Sequence, residues 1–71
     1  MNILTVTKNK LQFHYDRLRE LQGCLESDHL SKDAIHYLND EITKAKENIK
    51  YYSELLKKLG EWNIWNYNLD H

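Results

Sequence analysis

The chain has 71 residues, a mass of 8.6 kDa, no Pro, two Gly, one Cys and a formal net charge of −1. A chain this short makes one domain at most and buries only ~60% of the surface its unfolded form exposes, so a lone monomer has a thin core. One Cys excludes an intrachain disulfide and a zinc site built on two cysteines of the same chain, and ten Lys+Arg against eleven Asp+Glu is neither a footprint for phosphates nor an acidic mimic of DNA.

Residues 4–26 predict the first helix. Leu4, Leu11, Leu18 and Leu25 recur every seven residues, and Leu21 supplies one of the d positions between them. The other two d positions are Thr7 and His14, so most of this row is polar. Gly23 either ends the helix or sits inside it at ~1 kcal/mol relative to Ala. Leu25 keeps the heptad register, which favours a helix running on to about Glu26. Ser27 to Leu30 then makes the turn, short enough for an antiparallel pair.

The second helix, expected over about residues 32–59, is the strongest signal. Ile35, Leu38, Ile42, Ala45, Ile49, Tyr52, Leu56 and Leu59 follow spacings of 3, 4, 3, 4, 3, 4, 3, the a and d positions of four heptads. Ser31 is placed as N-cap, and Leu30 and Ile35 are placed as a hydrophobic staple around it. Asp33 sits at the positive end of the dipole and Lys57 and Lys58 near the negative end, with Gly60 as the expected stop. Asp40 with Lys44 and Glu54 with Lys58 are i,i+4 pairs in the favourable order.

Residues 60–71 form an aromatic tail in which Trp62, Ile64, Trp65, Tyr67 and Leu69 fall among Asn residues. Trp62, Trp65 and Leu69 would share one face of a short helix, whereas the alternation of Trp65, Tyr67 and Leu69 fits a short strand. Periodicity does not decide between them.

Chemistry finds little to work with. Cys24, Asp28, His29 and His36 are metal-ligand types near the turn, but their spacing matches no zinc motif and a solvated loop is the simpler reading. His36 and Asp40 read as a surface pair. The Cys has no basic cluster beside it, and no Gly-rich phosphate loop exists, so neither an enzyme nor a cofactor is expected. Lys8, Lys10, Arg17 and Arg19 are interrupted by Asp16 and Glu20, which leaves a small nucleic-acid-associated transcriptional factor as a secondary reading. No stretch approaches the ~18 apolar residues of a membrane span, and the N-terminus lacks the form of a secretory signal, so the cytoplasm is the expected location.

Two Trp, five Tyr and one Phe are a heavy load for this length. Aromatic side chains serve cores and interfaces alike. Phe13, Tyr37 and Tyr51 occupy c positions away from the seam, and with Trp62, Trp65 and Tyr67 they are the candidate interaction residues. His14, at a d position, either fixes register or marks a seam open to solvent.

The expectation is therefore an all-α fold, a long antiparallel two-helix hairpin with a short aromatic C-terminal segment, dimerising into a four-helix bundle. The expected role is a non-enzymatic protein–protein interaction module, a regulator or inhibitor of a larger host protein. A self-assembling coiled-coil adaptor is the alternative. The abundance of Asn, Lys, Tyr and Ile, whose codons are AT-rich, suggests a low-GC bacterial or phage gene.

Overall fold

The computed structural model describes the backbone of residues 2–69 and the side chains of residues 2–60. Two helices, α1 (Ile3–Leu25) and α2 (Lys32–Leu69), pack as an antiparallel hairpin. Asn2, extended at φ −82° and ψ 123°, caps α1, its side-chain oxygen accepting from the Leu4 N–H at 2.9 Å. This local bond satisfies one of the unpaired first-turn amides and starts the helix one residue before the first leucine of the heptad row. At the other end, the Glu26 N–H donates to the Gly23 carbonyl and the Ser27 N–H to the Cys24 carbonyl, both at 3.2 Å. Ser31 caps α2 as its sequence position implies, with Oγ accepting from the Ala34 N–H at 3.1 Å.

The first helix thus continues through Gly23. The second continues through Gly60, which corrects the expectation that this glycine ends it and answers the question left open for the tail: the backbone of 61–69 is helical. No described glycine has a positive φ. The cost of a helical Gly is ~1 kcal/mol, and no Pro follows to enforce a stop, so continued hydrogen bonding along the next nine residues outweighs it.

The core is thin, as the length requires. Leu21, Leu38, Ile42 and Ala45 are its buried apolar members, with Leu18, Leu25 and Leu30 packed partly against them. Leu21 of α1 and Ala45, at a d position of α2, are its most buried apolar members, both only 3% exposed. Thr7 is buried too, at 2%. Its hydroxyl donates to the Ile3 carbonyl at 2.7 Å, so a polar d position is filled without an unpaired donor.

The register explains one departure from the heptad reading. With His14 stacked on Tyr52, and Leu21 and Leu25 packed in one cluster with Leu38, Ile42 and Ala45, the end of α1 lies against the α2 segment that begins at Leu38. Ile35 lies N-terminal to that segment, outside the core cluster, and is 39% exposed although it occupies an a position. Leu30, its expected staple partner, packs instead against the core cluster. The same ends give the hairpin its dimensions, 61 × 16 × 16 Å.

Candidate functional site: an aromatic row across one face

Four rings run across the hairpin. Phe13 meets His14 edge to face at a centroid separation of 5.2 Å. His14 stacks on Tyr52 of α2 at 5.4 Å with 12° between the planes. Tyr52 in turn meets Tyr51 edge to face at 5.0 Å. The inner two rings sit at d positions, where the helices face one another, and are half-buried. The outer two sit at c positions and are open to water, Phe13 at 64% and Tyr51 at 60%. In an antiparallel pair the flank between c and d of one helix lies beside the same flank of the other, so the row occupies one broad face.

Beside it runs a shallow groove lined by Phe13, His14, Arg17, Glu41, Lys44 and Asn48. Arg17 Nη1 lies 3.8 Å from Glu20 Oε2, a pair exposed enough to release the guanidinium to another acceptor at little cost. Arg, Tyr and an apolar ring thus meet on one surface, and Tyr and Arg are side chains that carry disproportionate binding energy when a partner desolvates them.

The structure brings together two of the residues expected at an interface, Phe13 and Tyr51, through His14 and Tyr52. Tyr37 shares Tyr51's stripe but lies two heptads nearer the turn, ~21 Å along α2, and stands apart from the row at 57% exposure. Trp62, Trp65 and Tyr67 have helical backbone, and their side chains lie outside the described residues. The sequence assigns Tyr52 to the seam alone and Arg17 to an interrupted basic cluster. Both rings stand at d positions, but the stack between them forms only when the two helices pack in register, which neither pattern carries alone.

Elsewhere the surface is ordinary helix exterior. His36 Nε2 lies 3.8 Å from Asp40 Oδ2, the surface pair its spacing implies. Lys44 turns to Glu41 at 3.8 Å rather than to Asp40. Cys24 is exposed, and among the described residues no three His, Cys, Asp or Glu side chains gather as metal ligands. No helix among them is long and apolar enough to cross a membrane.

The accessible surface is 5951 Å². A compact monomer of this mass exposes about 4,700 Å². The excess follows from the elongated shape, 61 Å long and 16 Å across. Comparison with protein-family models, with curated proteins and with solved structures finds no match to this chain.

Proposed function

We propose that this chain is a non-enzymatic protein–protein interaction module, which docks on a larger host protein through the broad face that carries the aromatic row and so regulates or inhibits it. The observation that supports this reading is the exposure of Phe13 and Tyr51 at the two ends of a row whose centre is fixed by the His14–Tyr52 stack. A rigid centre orders the outer rings before any partner arrives, which lowers the entropy lost on docking. Arg17 in the adjoining groove adds a donor fork suited to a carboxylate of the partner. The Asn-, Lys-, Tyr- and Ile-rich composition fits a phage-encoded regulator acting in the host cytoplasm.

The test is affinity capture from host lysate with the native chain and with Phe13→Ala/Tyr51→Ala. A stoichiometric foreign protein retained by the native chain and lost with the double variant, while helicity is unchanged, is the expected result. Capture that survives both truncations would remove the broad face from the mechanism. A salt-sensitive gel shift with nucleic acid, with no protein captured, would replace the reading by the transcriptional one.

A further inference from the structure

α2 carries a second heptad stripe outside the seam, its c positions bordering the flank shared with α1 and its f positions turned away from it. Tyr37, Asp40, Lys44, Glu47, Tyr51, Glu54 and Lys58 follow spacings of 3, 4, 3, 4, 3, 4, all at c and f positions. All seven side chains are exposed. The c positions hold Tyr, Lys, Tyr, Lys in turn, and every f position is acidic. Pairing within the helix, Asp40 with Lys44 and Glu54 with Lys58, sorts these signs as well, but it gives no reason for the exposed tyrosines at the alternate c positions.

We propose that this face binds a second copy of the chain, with the two α2 helices antiparallel. Antiparallel stripes set each c position opposite an f position of the neighbour. When Lys44 faces Glu54 of the second copy, symmetry brings Glu54 opposite the second copy's Lys44. One turn outward on each side Asp40 meets Lys58, and at the centre the Tyr51 hydroxyl meets the Glu47 carboxylate of the other chain. Parallel stripes would instead set Lys44 on Lys44 and Asp40 on Asp40, like charge on like, which is disfavoured. The sorting therefore selects both the occupant and its direction.

Exposed ion pairs add little affinity each, so they set orientation. Attraction comes from the Tyr37 and Tyr51 rings and from the methylene stems of Lys44 and Lys58 laid along them. The pairing does not need Phe13 and so does not rest on the docking of a host protein, although it draws Tyr51 and the groove residue Lys44 into the contact between copies. It leaves that side of α1 open in both copies of a four-helix assembly.

Charge reversal decides it. Sedimentation equilibrium of the native chain at high micromolar concentration is expected to give about twice 8.6 kDa. Lys44→Glu/Lys58→Glu and Asp40→Lys/Glu54→Lys are each expected to be monomeric alone, and their equimolar mixture is expected to regain the dimer mass. Neutral Lys44→Gln/Lys58→Gln, which adds no repulsion inside the helix, is expected to weaken pairing about tenfold. Phe13→Ala is expected to leave the dimer intact. A native monomer, a dimer that survives the Lys44→Glu/Lys58→Glu change, a mixture of helical variants that stays monomeric, or a dimer lost only with Phe13→Ala would each overturn the pairing.

Discussion

His14 of α1 and Tyr52 of α2 stack with near-parallel, laterally offset planes, 5.4 Å between centroids and 12° between planes, and they are the aromatic contact that crosses the hairpin seam among the described residues. The contact ties a polar d position of the weaker heptad row to an aromatic d position of the stronger one. A stacked ring pair contributes ~0.5–1.5 kcal/mol beyond the area it covers. A double-mutant cycle with His14→Ala, Tyr52→Ala and the pair, read by urea unfolding, is expected to return a coupling of that size. Additive effects would mean that the rings share a surface without stabilising it.

Leu21 and Ala45 are the most buried apolar residues of the core cluster, each 3% exposed. One is large and the other small, so changes at the two sites act on the shared cluster in opposite ways. Leu21→Ala opens a cavity and is expected to cost ~2–5 kcal/mol. Ala45→Leu overfills the same space and is expected to cost ~1–3 kcal/mol by pushing the helices apart. A domain of this length has only ~4–10 kcal/mol in total, so Leu21→Ala should lose its cooperative melt near room temperature. Thermal unfolding followed by circular dichroism distinguishes the two.

The hairpin was legible because its signals are local and repeated. Four heptads of α2, Ser31 as cap and the short turn all follow from spacing and side-chain chemistry, and they fix which residues face inward. Gly60 was misread for a related reason. A glycine after Lys57 and Lys58 looks like a helix stop, but a stop requires a left-handed residue, and nothing after it forces one. Asn2 was missed as a cap since the leucine row starts at Leu4 and gave no reason to look further upstream. The aromatic row needed a distance that no single helix contains. Phe13, His14, Tyr51 and Tyr52 meet only once the turn sets α1 against α2, and that register comes from packing rather than from either pattern.

Both helix caps rest on one side-chain acceptor, which makes them separable. Ser31→Ala removes the oxygen that accepts from the Ala34 N–H, and Asn2→Ala removes the one that accepts from the Leu4 N–H. Each change is expected to cost ~0.5–2 kcal/mol. Ser31 adjoins Leu30, which packs on the core, whereas Asn2 opens the far end of α1. Loss at Ser31 should therefore lower global stability in urea. Loss at Asn2 should show chiefly as faster amide hydrogen exchange over the first turn of α1, with a smaller change in the unfolding midpoint.

The two glycines give the sharpest check on the length of α2. Gly23 and Gly60 both lie within helices, and a Cβ built on either meets nothing within 4 Å. In a right-handed helical conformation with open space outside, Ala loses less backbone entropy on folding than Gly does. Gly60→Ala is therefore expected to stabilise the chain by ~0.5–1 kcal/mol, and Gly23→Ala by a similar amount. The opposite sign follows if Gly60 turns the chain in a left-handed cap, because a Cβ there is strained and the substitution would destabilise. Urea midpoints of the two variants against the parent read the sign directly. Helicity at 222 nm adds an independent measure, since a continuous α2 should gain signal in Gly60→Ala as fraying beyond residue 60 is suppressed. A destabilised Gly60→Ala beside a stabilised Gly23→Ala would cut α2 back to residue 59 and detach the aromatic segment from the hairpin.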